Sequence, residues 1–198
     1  DRAGIGLAAK VRQRDAEREQ RKTHVRAAPT DFGNQVLRQR RQHRAANGRP
    51  LWRYQRQLPE GTMVLSKKTI ALWDDMVIVA TSDLHMVALD ARTGRQAWDV
   101  AIPDSAETRS NGGPLVADGV VMIGLASQRA GGSIIAAFDA ETGAHLWNFN
   151  TVAQEGTPGG DTWNNVPADR RWGASIWNPP SYDAELNLVI VGTGSPYP

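Results

Sequence analysis

An eleven-residue pattern recurs at a fixed stride. Ala88-Leu89-Asp90-Ala91-Arg92-Thr93-Gly94-Arg95-Gln96-Ala97-Trp98 and Ala137-Phe138-Asp139-Ala140-Glu141-Thr142-Gly143-Ala144-His145-Leu146-Trp147 share AxDAxTGxxxW and stand 49 residues apart. A decayed copy runs from Gln42 to Trp52, 46 residues before the first good copy. It keeps Gly48 and Trp52 but has Gln42 and Arg44 where Ala and Asp are expected. Asp and Thr beside Gly make a tight turn, because carboxylate and hydroxyl bond nearby backbone N–H groups and Gly takes positive φ. The Trp then falls on the next strand, where its ring can stack on the neighbouring copy and its N–H can meet a backbone carbonyl. A chain built this way is a stack of similar units, each buried against the next.

The residues between the copies read as strands. Met76–Thr81, Val120–Gly124 and Leu188–Gly192 are short runs rich in β-branched residues, bounded by Asp, Gly or Asn. His85–Leu89 and Ile134–Phe138 are further strands, and Gln96–Ile102 and His145–Asn150 follow tight turns. No long helical period occurs there, so the expected class is all-β. A stride of 46–49 residues suits four short strands with their turns, which is one blade of a β-propeller, and the chain holds about three such blades.

Charge divides the chain in two. Residues 1–50 carry 13 Lys and Arg against 5 Asp and Glu, leaving 10 against 16 of the totals of 23 and 21. Residues 1–46 are read as a basic Arg/Gln-rich N-terminal extension, disordered or partly helical over Gly4–Lys22 and broken at Ala28-Pro29-Thr30. Residues 47–198 are the propeller part. Basic arms attract phosphates, yet Phe32 is the arm's one aromatic for stacking on bases, so no nucleic-acid partner is expected. No cysteine is present, which excludes disulfide scaffolds, thiolate metal sites and cysteine nucleophiles. No apolar run approaches the roughly 20 residues a membrane-spanning helix needs, so no membrane span is expected. No charged-then-apolar leader opens the sequence.

Further segments carry a resemblance. Gly156-Thr157-Pro158-Gly159-Gly160-Asp161-Thr162-Trp163, Arg171-Trp172-Gly173-Ala174-Ser175-Ile176-Trp177 and Ser181-Tyr182-Asp183-Ala184-Glu185-Leu186-Asn187-Leu188-Val189-Ile190-Val191-Gly192-Thr193-Gly194 accompany the docking repeat. Together they resemble the eight-bladed quinoprotein alcohol dehydrogenases, which bind pyrroloquinoline quinone (PQQ), over about residues 47–198. The resemblance implies an alcohol oxidised by hydride transfer to PQQ, and a Ca²⁺ or lanthanide ion beside the quinone. It also implies a cytochrome c or a quinone as electron acceptor and a periplasmic location. Trp177 falls at the tryptophan floor under the cofactor, and Ser175 where a hydroxyl bonds it. Lys68 falls where the family has an arginine near the quinone oxygens, and Asn111 where a threonine contacts the cofactor.

The departures are specific. Ser195 stands where many members place a metal-ligating asparagine, and Gln128 or Arg129 where a metal-binding glutamate is usual. Thr62-Met63 replaces the adjacent cysteine pair of many members. No catalytic residue and no metal ligand are assigned, because the aspartate base and the metal's other ligands belong to later blades. The chain alone is therefore expected to be an inactive part of such an enzyme. The arm fits the resemblance poorly: the blade before Trp52 should begin as strands, and the sequence there is Arg/Gln-rich. The alternative function is a non-catalytic propeller of the outer-membrane assembly type, a protein-binding scaffold without cofactor. The other candidates are weaker. Gly156–Gly160 lacks a GK[ST] ending, and Pro196 and Pro198 block a helix after Gly192-Thr193-Gly194, so neither is a phosphate loop. Ser175 lies in no GxSxG elbow. His24, His43, His85 and His145 have no metal spacing, and His85 and His145 read as surface residues. Asp183 reads as a turn residue ahead of a strand. Asp161 and Trp163 read either as shaping a loop over the cofactor or as loop packing.

Overall fold

The computed structural model describes residues 39–43, 49–103 and 107–197. Apart from one 3-10 turn at Ala168–Arg170, all regular structure among them is β. Strands β1 (Gln39–His43) and β2 (Pro50–Gln55) form an antiparallel pair. A four-stranded antiparallel sheet follows, β3 (Ala71–Trp73), β4 (Met76–Ala80), β5 (His85–Asp90) and β6 (Gln96–Ala101), in chain order. The next sheet contains β7 (Thr108–Arg109), β8 (Leu115–Ala117), β9 (Val120–Ser127), β10 (Ile134–Asp139) and β11 (His145–Asn150). Both β7 and β8 pair with β9, at opposite ends, so they are two halves of one edge strand interrupted between Arg109 and Leu115. The short pairs β12 (Trp172–Gly173) with β15 (Pro196–Tyr197) and β13 (Ser181–Asp183) with β14 (Leu188–Ile190) complete the fold.

The strand runs read from the sequence sit where expected, within a residue or three at their ends. Their nearly unbroken apolar character has a reason: β4, β5, β9 and β10 are central strands, buried on both faces. Ile78, Ala80, Met86 and Ala88 face Val121, Ile123, Leu125, Ala136 and Phe138 of the following sheet. The alternate residues Val77, Val79, Val87 and Leu89 face back toward Trp52 and Tyr54. Ala117, Met122, Ile135 and Ala137 pack against Ile176, Tyr182 and Val191. The β8–β9 hairpin closes through Asp118 and Gly119, both at positive φ, as its two-residue turn requires.

The arm expectation meets a different result at its end. β1 lies before residue 47, and its register repeats that of the two good copies. Gln42 pairs with Trp52 and His43 with Pro50, as Ala88 does with Trp98 and Leu89 with Gln96, and as Ala137 does with Trp147 and Phe138 with His145. All three pairs carry the same register shift between the first and second of these positions. Ladder hydrogen bonds use backbone groups, which Arg and Gln supply as well as Val does, so the strand persists where its apolar signature is lost. The helix expected over Gly4–Lys22 lies outside the described residues.

The docking turn is built alike in both good copies. Asp90 Oδ1 accepts the Arg92 N–H at 3.1 Å, the Thr93 N–H at 2.7 Å and the Thr93 hydroxyl at 2.7 Å. Asp139 Oδ1 does the same with Glu141 and Thr142 at 3.1, 2.8 and 2.7 Å. The Thr93 and Thr142 side chains lead the bonds that hold these two carboxyls below the usual carboxylate range. Gly94 and Gly143 then take positive φ and leave a flat seat: a Cβ there would come within 2.6 Å of the Trp52 ring and 2.8 Å of the Trp98 ring. Trp52 Nε1 donates to the Ala91 carbonyl at 2.8 Å and Trp98 Nε1 to the Ala140 carbonyl at 3.3 Å. Each indole thus docks on the turn of the sheet that follows its own. Trp147, expected to dock likewise, is 43% exposed, whereas Trp98 is 9% exposed. Among the described residues after it, β13 and β14 form the counterpart of the β3–β4 and β8–β9 hairpins, and none of these residues forms an Asp-Thr-Gly turn for its ring to lie on.

A second tie joins the first pair to the second sheet. Arg56 Nε donates to the Asp83 carboxylate at 2.8–2.9 Å, and its Nη1 donates to Asp99 at 2.5 Å. Burial alone raises the Asp83 pKa, but hydrogen bonds from Thr81 and Arg56 outweigh it and hold the carboxyl below its ordinary value. His85, read as a surface residue, is partly buried, with Nδ1 2.6 Å from Asp99 Oδ1.

Trp98→Ala is expected to cost about 3–5 kcal/mol, the range for emptying a buried aromatic site. Trp147→Ala should cost well under half of that, because its ring is already half in water. Urea denaturation of both variants decides this, and equal losses would contradict the docking assignment. The turns also carry an acid dependence. Because the folded Asp90 and Asp139 are depressed, their contribution is complete above the unfolded value of about 3.9 and is lost as pH falls through the lower folded value. Thr93→Val should flatten the fall in stability between neutral pH and pH ~2, read from melting temperatures; an unchanged slope would contradict it.

Candidate functional site

Three strand-entry segments, one from each of three successive sheets, run side by side. Lys68 N–H donates to the Asn111 and Gly112 carbonyls at 3.1 and 2.9 Å, and Thr69 N–H to the Gly112 carbonyl at 3.1 Å. These bonds hold the segment before β3 against the break between β7 and β8. The break follows from its residues: Pro114 has no N–H, and Gly113 sits at φ +112 with its Cα against the Thr69 carbonyl. A Cβ on Gly112 would sit 3.1 Å from the Asn178 carbonyl, so the third segment lies directly against the second.

That third segment, Ala174–Asn178, is held by alternation. Ile176 is buried in the third sheet's core, over Gly124, where a Cβ would come within 2.2 Å of its Cγ2. Ser175 and Trp177, its neighbours on either side, therefore share the opposite side of an extended segment. Ala174 enters it at φ +46 and is pinned there: its N–H donates to the Ser195 carbonyl at 3.0 Å, and its carbonyl accepts the Thr151 hydroxyl at 3.0 Å. Gly194 N–H donates to the Ser175 carbonyl at 2.9 Å, and a Cβ on Gly194 would lie 3.5 Å from Trp177 Cζ2.

Of the four candidate residues, Lys68, Asn111 and Trp177 are brought together, and Ser175 shares the side of Trp177. Lys68 Nζ donates to Asn178 Oδ1 at 2.6 Å, beside Trp177, whose indole is 55% exposed. Lys67 Nζ donates to the carbonyl of Ser110, the residue before Asn111. Ser110 is 1% exposed and its hydroxyl has no partner. An open indole next in the chain to an amide that holds an ammonium group is chemistry that suits a planar acidic molecule. The metal positions do not converge in this way. Arg129 lines a separate open polar cleft with Thr108, Ser127, Asn148, Asn150 and Gln154. Ser195 offers its carbonyl to Ala174, and no group of three or more His, Asp or Glu gathers among the described residues.

Sequence reasoning missed Asn178, Lys67, Ser110 and Arg171. The first three gain their roles only from neighbours about 40 to 110 residues away, which no local pattern shows. Arg171 is 7% exposed and faces carbonyls: Nε donates to Val166 at 2.7 Å, and Nη1 to Gly160 at 2.9 Å and Ala153 at 3.2 Å. Its guanidinium lies 5.5 Å from the Trp163 ring centroid. It gathers the long Gly-rich loop just ahead of the Trp177 segment, with Trp163 packed beside it. Asp183 is the turn residue expected, accepting the Glu185 and Leu186 N–H groups at 3.0 Å.

Comparison with known proteins follows the same span. Residues 44–198 match the family described as the β-propeller domain of glucose, ethanol and alcohol dehydrogenases. The quinohemoprotein alcohol dehydrogenase ADH IIB of Pseudomonas putida is 35% identical over 177 residues, covering 78% of this chain and 25% of that protein. The crystal structure of quinohemoprotein alcohol dehydrogenase from Comamonas testosteroni superposes with TM-score 0.62 at 28% identity, covering 80% of this chain and 26% of that one. A europium-containing methanol dehydrogenase superposes with TM-score 0.65 at 22% identity over 77% of this chain and 31% of that one, a likeness of fold. The chain spans about a quarter of the length of the curated relatives it matches.

Arg171 should be the loop's anchor. Arg171→Met is expected to speed proteolytic cleavage within residues 153–166 by about 10-fold or more, because three carbonyls lose their donor. Cleavage at the wild-type rate would contradict that role.

Proposed function

The chain belongs to the β-propeller family of glucose, ethanol and alcohol dehydrogenases, and from that membership we propose that it is the cofactor-floor sector of a quinoprotein that oxidises an alcohol. It comprises about three blades of an eight-bladed ring, with the residues ahead of β1 as a basic extension. The cofactor is PQQ, which when bound supplies the carbonyl that accepts hydride. The acceptor downstream is a cytochrome c or a quinone, and the setting is the periplasm.

One observation supports the reading: the exposed Trp177 adjoins Asn178, whose amide oxygen takes the Lys68 ammonium, and the Lys68 N–H is bonded to the Asn111 carbonyl. Trp177 gives a planar ligand a flat bed, where offset stacking adds about 1 kcal/mol beyond area burial. The Lys68 ammonium meets an acidic oxygen at the ring's edge, and Asn178 holds that ammonium in place. Asn111 and Ser175 supply neutral donors that fix orientation. Gly112 lets two of these segments approach closely enough for one ligand to touch both. None of these side chains is a base able to take the proton from an alcohol at neutral pH. This sector therefore binds and orients, and the chain on its own is expected to turn over no alcohol. No specific contact favours the scaffold reading, which has no use for an open indole in a ring of donors.

The test is a PQQ titration of the chain followed by tryptophan fluorescence. Saturable quenching that is lost in Trp177→Ala, while the melting temperature changes little, is the expected outcome. Absence of quenching in the unmodified chain, or quenching unaffected by Trp177→Ala, would overturn the reading.

A further inference from the structure

We infer that this sector holds its planar acidic ligand with lysine charge and needs no divalent cation to do so. The inference rests on the reading of Trp177 as the cofactor floor and adds to it a departure in how the ligand's charge is met.

The first observation is chemical. A hard cation such as Ca²⁺ takes several oxygen ligands, with carboxylate charge among them. The residues that meet at the cleft are Lys67, Lys68, Ser110, Asn111, Trp177 and Asn178, and none is acidic. The two positions assigned to metal ligation by resemblance carry Gln128 or Arg129 and Ser195. Gln128 and Ser195 offer a hard cation neutral oxygens without carboxylate charge, and Arg129 offers it no oxygen at all. This chain by itself therefore brings no carboxylate to the cleft for a cation to bind.

The second observation is positional. Lys67, Asn111 and Trp177 each lie six residues before the last residue of the edge strand that follows, Trp73, Ala117 and Asp183 respectively. They are equivalent places on three successive sheets, so an ammonium, an amide and an indole stand at one level. Lys67 and Lys68 are also the only lysines after Lys22. In a region whose charge is otherwise carried by Arg, Asp and Glu, both lysines fall at this one spot. Lys67 is tied to the break between β7 and β8 at Ser110 and Lys68 to the Ala174–Asn178 segment at Asn178, so both ammonium groups are held in position. Fixed ammonium groups make charge-assisted hydrogen bonds to carboxylates, which is the service a bridging cation would otherwise perform.

The experiment is the PQQ titration repeated with EDTA and with saturating Ca²⁺, on the full chain and on Lys67→Gln, Lys68→Gln and Lys68→Arg. The dissociation constant should agree within about 2-fold between EDTA and Ca²⁺. Each Gln variant should weaken binding about 10-fold, the scale of one charge-assisted contact, while Lys68→Arg restores most of it. Melting curves of the variants separate lost binding from lost fold, and the EDTA–Ca²⁺ comparison on the unmodified chain needs no variant. Binding that appears only with Ca²⁺, or that ignores both Gln substitutions, would overturn the inference and leave the cofactor-floor reading standing. Absence of binding under both conditions would overturn both.

Discussion

An indole ring laid on a glycine of the following sheet is the contact on which the rest depends. The Asp-Thr-Gly turn makes the seat: Asp90 and Asp139 draw the turn closed, and Gly94 and Gly143 clear the space a side chain would fill. The ring covers that seat and its N–H finds the carbonyl three residues before the glycine, at Ala91 or Ala140. Each contact joins outer strands of consecutive sheets, so it sets how the sheets stack as well as how firmly. The apolar faces between them then close as a consequence: Ile78 and Met86 can meet Ile123 and Phe138 only if the sheets are set at that spacing.

The cleft is the inner counterpart of this stacking. With the outer strands joined, the entry segments of three sheets run together on the opposite side, where ladder pairing is incomplete. Gly113 and Pro114 break one edge strand, Ala174 bends another segment at positive φ, and Ile176 anchors that segment to the core below. Side chains that a regular strand would have spent on packing are left open: the Trp177 ring, the Lys68 ammonium, the Asn111 amide. The candidate cleft is thus located where the regular architecture stops, on a base that the docking contacts hold.

Much of this was legible in the residues. The repeat located the docking turns, and β-branched runs between Asp, Gly and Asn located the strands, because both signals are local. The decayed copy was legible only as Gly48 and Trp52, yet β1 pairs in the same register as its intact relatives. Backbone pairing leaves no mark on composition when the side chains are Arg and Gln. Trp147 carries the same docking sequence as Trp98, but docking also requires a seat, and the described residues after it hold no Asp-Thr-Gly turn. At the cleft, the resemblance pointed to Lys68, Asn111, Ser175 and Trp177. It was silent on Asn178 and Ser110, whose roles come from contacts between segments far apart in the chain. Arg171 escaped for a related reason: a buried cation held by carbonyls has no acidic partner to betray it.

Exchange of the indole N–H protons with solvent tests the docking contact most directly, with the seven tryptophan signals assigned by single Trp→Phe substitutions in a ¹⁵N-labelled chain. The Trp52 and Trp98 indole protons should exchange slowly, because each is held on a carbonyl of the next sheet, and the Trp147 proton should exchange quickly. Rapid exchange at Trp52 and Trp98, or a Trp147 proton as protected as theirs, would contradict the account.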